Sequence, residues 1–136
     1  MANWFLCSMG ANLQPEQNFA KARSALLRFG EAYYSRAIYT KPVAMTSTHD
    51  FLNALFILRT ELDSGALKQQ FNAIEQQLGR DRSDPNSAIK DRPMDIDILG
   101  PLTDAEQATT WQQVPNYLQP AIAGLQQLFH QFETTQ

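Results

Sequence analysis

The decapeptide Phe51–Thr60, FLNALFILRT, carries an apolar side chain at almost every position. A strand with one wet face alternates apolar and polar residues. A nearly unbroken apolar run of this length reads as a central strand covered on both faces. Whatever else the chain does, it has to build a sheet around this segment.

The remaining elements follow from periodicity and punctuation. Trp4–Met9 is apolar, is bounded by Gly10 and Asn12, and reads as a buried strand ending in a turn. Pro15 opens a helix whose Phe19, Ala22, Leu26 and Phe29 share a face, with Gly30 in the usual stop position. The β-branched and aromatic content of Glu31–Tyr39 predicts one strand, and Lys41–Asp50, with Pro42 and three Ser/Thr residues, a loop. Asp63 and Ser64 can cap a second helix that carries Leu67, Phe71, Ile74 and Leu78 on one face and ends at Gly79. The polar stretch from Arg80 to Pro93 has no apolar period, Met94–Leu99 is a short strand, and Ile122, Leu125, Phe129 and Phe132 form the stripe of a closing helix within Leu118–Phe132. The order β-α-β-β-α-β with a helical tail is that of a ferredoxin-like α+β sandwich, an antiparallel sheet with helices packed on one face.

Composition narrows the class. A chain of 136 residues fits one domain, 1–136, and can bury roughly two-thirds of its unfolded-state surface without staples. A net charge of −3 gives no general attraction to nucleic acid or to an anionic membrane, so any polyanion has to meet a local basic cluster. Cys7 is the single cysteine, which excludes an internal disulfide and fits a reducing compartment; a small core residue is expected there rather than a nucleophile. The first ten residues lack a basic segment, and no apolar stretch approaches the ~20 residues that span a bilayer, so a cytoplasmic protein is expected, a monomer or weak homodimer.

One short segment does not belong in a plain core strand. In DRPMDIDILG, Asp91–Gly100, two carboxylates stand one residue apart. Alternation puts Asp95 and Asp97 on one side and Met94, Ile96 and Ile98 on the other. Two adjacent like charges repel unless water or a cation lies between them. A half-exposed strand would meet that condition, and so would a divalent cation, since Mg²⁺ is held by one or two carboxylates and completes its shell with phosphate oxygens. Arg80, Arg82, Lys90 and Arg92 bring four cations into the 13 residues directly upstream, in a chain that is otherwise acidic. Alone they could be a solvated loop. Beside the aspartates they describe a nucleotide phosphoryl-transfer site, guanidinium groups being suited to bidentate phosphate contacts. No G-x-x-x-x-G-K-S/T loop is present and no G-x-G-x-x-G follows the first strand, so the common nucleotide-binding loops are excluded. His49 and His130 are far from each other in sequence and from the aspartates, and a histidine metal site is not expected.

These residues carry a resemblance. MGANL (Met9–Leu13) is similar to L-G-S-N-L, YTKPV to a Y-x-T-x-P-like stretch, DFLNALFILRTEL to a D-F-L-N-A strand, and IEQQLGRDR with DRPMDIDIL to I-E-x-x-L-G-R-x-R and P-R-x-I-D-L-D-L-L, all in the order found in the 6-hydroxymethyl-7,8-dihydropterin pyrophosphokinase family. The likeness runs from about Trp4 to Gly100. It implies transfer of the diphosphoryl group of ATP to the hydroxymethyl of a pterin, the step that leads toward folate. It further implies that Asp95 and Asp97 bind two Mg²⁺ ions, that Arg80, Arg82 and Arg92 contact phosphates, with Arg80 and Arg92 catalytic, and that Glu75, Ile98 and Tyr117 belong to the ATP side. On the pterin side it implies stacking by Phe51, hydrogen bonding by Asn53, and a pocket wall from Pro42 and Ala44. The two polar loops resemble mobile lids.

The departures from the family pattern are equally specific. Ala88 and Ile89 stand where an arginine and a tryptophan are expected, in a loop about two residues longer. Asn116 replaces a histidine, and Ile122 and Gly124 fall where an arginine and a phenylalanine follow, so the second stacking wall is left to Trp111 or Phe129. The C-terminal third is abbreviated. A non-catalytic relative, binding a nucleotide, a pterin or a protein partner on the same scaffold, is the alternative implied.

Overall fold

The computed structural model describes residues 2–41, 49–80 and 93–134. Its elements are β1 (Asn3–Ala11), α1 (Pro15–Leu26), β2 (Gly30–Tyr34), β3 (Ile38–Thr40), β4 (Phe51–Thr60), α2 (Ser64–Gln77), β5 (Asp95–Pro101), α3 (Gln107–Trp111), a 3-10 segment (Asn116–Ala121) and α4 (Ile122–Thr134). The strands pair in the order β2-β4-β1-β5, antiparallel throughout, with β3 also on β4. This is the ferredoxin-like arrangement, and the apolar decapeptide is one of its two central strands, as its composition requires.

The local signals explain most boundaries. Asp63 caps α2 by accepting the Ala66 N–H at 2.8 Å, and Gly79, at φ +105°, takes the left-handed turn that ends it. Two boundaries differ from expectation. Helix α1 stops at Leu26, so Phe29 packs at the edge of the core from a turn and Gly30 opens β2 instead of closing the helix. The strand expected over Glu31–Tyr39 is divided. β2 pairs as Gly30 with Thr60 through Tyr34 with Phe56, whereas β3 pairs as Ile38 with Asn53, a register offset by one residue. Ser35 explains the break: its N–H donates to the Leu55 carbonyl at 2.9 Å, but its hydroxyl, not its carbonyl, accepts the Leu55 N–H at 3.0 Å. Once a side chain replaces the backbone acceptor, the edge strand bulges and then resumes.

Two cores flank the sheet. Phe5, Cys7 and Met9 of β1, Ala54, Phe56 and Leu58 of β4 and Ile96 of β5 face α1 and α2, meeting Phe19, Leu26, Leu67, Phe71 and Ile74. The opposite faces present Leu6, Leu55 and Ile57 to Trp111, Val114, Leu118, Leu125 and Phe129. The C-terminal segment is therefore a second cover, so helices lie on both faces rather than one. That is why β4 does not alternate. The closing helix starts later than expected: Leu118–Ala121, with Pro120 inside, belongs to the 3-10 segment, and α4 begins only at Ile122. The five-residue α3 was not expected from periodicity; the turn leading into it is fixed by Thr103, whose hydroxyl accepts the Glu106 N–H at 3.1 Å. No described helix is long and apolar enough to cross a membrane.

Cys7 lies fully inside the first core. Burial pushes its thiol well above the ordinary value, and the negative charge of Asp97 adds to the shift. At neutral pH the reactive thiolate is scarce and enclosed. A thiol reagent such as dithionitrobenzoate is expected to label Cys7 only at the rate of unfolding; prompt labelling of the native protein would contradict this packing.

Candidate active site

The C-terminal cover does not reach the whole second face. Strand alternation sends Ser8 and Gly10 of β1, Phe51 and Asn53 of β4, and Asp95 and Asp97 of β5 to that face, and there they line a cavity of about 220 Å³. The pairing register arranges them in rows. Asn53, Gly10 and Asp95 are cross-strand neighbours in one row, and Leu55, Ser8 and Asp97 in the next. The two aspartates thus open onto the same space, as alternation along the strand demands, while Ile96 between them is buried against the helices.

Gly10 is what keeps the first row open. A Cβ at this position would stand 2.9 Å from Asn53 Oδ1, closer than a carbon tolerates. The buried Asn53 side chain is held by Nδ2 donating to Thr40 Oγ1 at 2.8 Å, so β3 orients the amide from the edge of the sheet. Tyr117, half exposed, and Leu118 close the cavity from the C-terminal cover, and Lys41 from the end of β3.

Behind the aspartates lies a charged group that only the pairing reveals. Glu75, on the inner face of α2, is completely buried. Its Oε2 accepts the Ile96 N–H at 2.7 Å and lies 3.5 Å from Arg80 Nη1, which in turn donates to Asp95 Oδ1 at 2.8 Å. Glu75 therefore ties β5 to α2 exactly between the two aspartates in sequence, and Arg80 joins it to the cavity.

The other residues singled out from the sequence have different places. Pro42, Ala44, Arg82 and Arg92, with Ala88 and Ile89, lie outside the described residues. Ile98 packs toward the helix-side core, away from the cavity, and Glu75 contacts the site through Arg80 and the β5 backbone instead of lining it. Trp111 and Phe129 are both buried in the second core, where Phe129 meets Trp4 edge-on at 5.8 Å, so neither supplies a wall; the aromatic ring that accompanies Phe51 at the cavity is Tyr117. Gly124 borders a different cleft, with Tyr34, Ser35 and Leu128, and Ile122 packs against the second core. His49 lines a surface cleft beside Pro15, and His130 pairs with Glu133 on α4. Ser8, Gly10, Thr40, Lys41 and Leu118 were not foreseen as site residues. MGANL held the signal for Gly10, but its reason, the approach of Asn53, needs the register of β1 on β4.

Comparison with known proteins identifies the relatives of the chain. The family model for 7,8-dihydro-6-hydroxymethylpterin-pyrophosphokinase matches residues 6–127, and so takes in most of the C-terminal cover as well as the segment carrying the motifs. The chain is 38% identical over 95 residues to the 2-amino-4-hydroxy-6-hydroxymethyldihydropteridine pyrophosphokinases of two Porphyromonas gingivalis strains, ATCC 33277 and W83. The aligned region is 68% of this chain and 65% of each relative, so the match spans a little under two-thirds of the curated proteins. With the family model covering nearly all of the folded segment, the chain belongs to the 7,8-dihydro-6-hydroxymethylpterin-pyrophosphokinase family.

Proposed function

We propose that this protein transfers the diphosphoryl group of ATP to the hydroxymethyl oxygen of 6-hydroxymethyl-7,8-dihydropterin and releases AMP. The pterin oxygen bonds to the β-phosphorus, the bond from that phosphorus to the α–β bridging oxygen breaks, and the hydroxyl proton is lost. The observation that carries the reading is the convergence of Asp95 and Asp97 on one cavity with Asn53 and Phe51.

Each part has a task set by its chemistry. Phe51 offers a flat apolar face to a heterocycle, and Asn53, fixed by Thr40, a polar group for its edge. Asp95 and Asp97 are hard oxygen donors open to the cavity, and among the described residues no group of three or more His, Cys, Asp or Glu converges to hold a metal alone. That donor set fits Mg²⁺ completed by phosphate oxygens and water, two ions arriving with the triphosphate, and does not fit a closed structural metal. Held by Asp95 and Asp97, magnesium would supply neutralisation of the phosphate charge during transfer. Arg82 and Arg92, together with Arg80, contribute guanidinium groups to the same phosphates, and Pro42 and Ala44 the wall of the pterin pocket. Such a site acts by positioning and electrostatics, not by a covalent intermediate.

Two measurements test this. A non-hydrolysable ATP analogue titrated calorimetrically is expected to bind with Mg²⁺ and much more weakly without it, and ATP plus the pterin should yield one AMP per pterin consumed. An analogue that fails to bind in either condition, with no AMP formed, would overturn the assignment. Gly10→Ala probes the pterin side. Its methyl displaces Asn53, so KM for the pterin is expected to rise about tenfold, the worth of one well-placed hydrogen bond, with kcat little changed. An unaltered KM would remove Asn53 from substrate recognition.

A further inference from the structure

Arg80 is held in an unsettled position. Its side chain is only 9% exposed, and its Nη1 stands between two carboxylates at unequal distances, 2.8 Å from Asp95 and 3.5 Å from Glu75. The nearer partner is the one that opens on the cavity; the farther is completely buried and already committed to the Ile96 N–H. Meanwhile Arg80 Nε is buried with no hydrogen-bond partner among the described residues. An unsatisfied buried donor is costly, so the guanidinium is not in the best arrangement available to it.

We propose that Arg80 is a displaceable resident cation: it pairs with the Asp95 carboxylate and moves off when Asp95 takes up a divalent cation, remaining paired with Glu75. This rests on the reading of Asp95 and Asp97 as metal ligands. The exchange is cheap because the guanidinium shifts from one carboxylate toward another and never stands unpaired, and because the buried charge of Glu75 gains the partner that Asp95 gives up. The move also lets Nε–H turn to a new acceptor, for which an incoming phosphate oxygen is chemically suited. A bare divalent ion thus has to compete with Arg80 for Asp95. Glu75 is a positioning residue in this scheme: it touches neither substrate nor metal but gives the displaced guanidinium a place to rest.

The test is Mn²⁺ binding without nucleotide, followed by electron paramagnetic resonance, in the wild type, Arg80→Gln, Asp95→Asn, the double variant and Asp97→Ala. Arg80→Gln is expected to bind Mn²⁺ about tenfold tighter than wild type, because the charge-assisted bond to be displaced is gone. In the Asp95→Asn background the same substitution should change affinity less than about twofold, since only distant repulsion is left to remove. No gain from Arg80→Gln, or an equal gain in both backgrounds, makes the guanidinium a permanent brace and overturns the proposal while leaving the metal assignment standing. Mn²⁺ binding unchanged in Asp97→Ala would overturn both. Should Arg80→Gln not fold, ¹⁵N resonance of the Arg80 side chain decides on the native chain. Saturating Mg²⁺ is expected to shift its Nε signal, and an unmoved signal sinks the exchange.

Discussion

Replacing Asp97 with alanine is expected to lower AMP formation by about 10³-fold or more, the equivalent of ~4 kcal/mol of charge stabilisation lost from the transition state. The same change should leave stability within about 0.5 kcal/mol, because the side chain stands exposed on the cavity face and its removal relieves repulsion by Asp95. Asp95→Ala is expected to abolish turnover as fully but to behave differently as a folded protein. Its carboxylate is the short partner of the nearly buried Arg80, so its loss is expected to cost about 1–3 kcal/mol. The sequence alone treats the two aspartates as equivalent; the ion pair separates them. Turnover measured by AMP release, together with thermal unfolding of both variants, checks the pair. Full turnover in Asp97→Ala would end the metal assignment.

The second large effect is on stability. Glu75→Ala removes a completely buried acceptor and leaves the Ile96 N–H and the inner side of Arg80 without it. Breaking a buried charged contact from one side costs about 3–5 kcal/mol, which corresponds to a fall in Tm on the order of 10–20 °C for a chain of this size. Glu75→Gln keeps an oxygen for Ile96 and loses only the charge, so about 1–2 kcal/mol is expected. Thermal melts followed by circular dichroism distinguish the two. Equal stability of Glu75→Ala and wild type would mean that β5 is held to α2 by apolar packing alone.

The fold was legible where a pattern is local and strong. The Phe51–Thr60 run identified a central strand, Asp63 a helix cap, and the alternation of Asp95 and Asp97 a shared side. What stayed hidden depends on partners distant in sequence. The bulge after Tyr34 exists because the Ser35 hydroxyl meets Leu55, twenty residues away. That Ile98 falls beside Cys7 and Asp97 beside Ser8 depends on the register of β5 on β1, which shifts between Leu6 and Cys7. Position-by-position likeness also misled in the C-terminal segment, where Gly124 falls on a helix face that borders another cleft. Glu75 was singled out only through the resemblance, as a residue of the ATP side, and its inward role could be seen only once Ile96 was beside it.

The rows that cross β4, β1 and β5 have a consequence for how the proposed site assembles. Asn53, Gly10 and Asp95 are separated by more than forty residues of chain on either side of the gap that joins them, and each belongs to a different strand. Such non-local pairing forms late and slowly, because chain closure precedes any reward from contact. If nucleotide binds across these strands as proposed, binding and completion of the sheet are thermodynamically linked, so saturating nucleotide is expected to stabilise the entire sheet and not one loop, and denaturant to extinguish turnover along the same transition that unfolds β5.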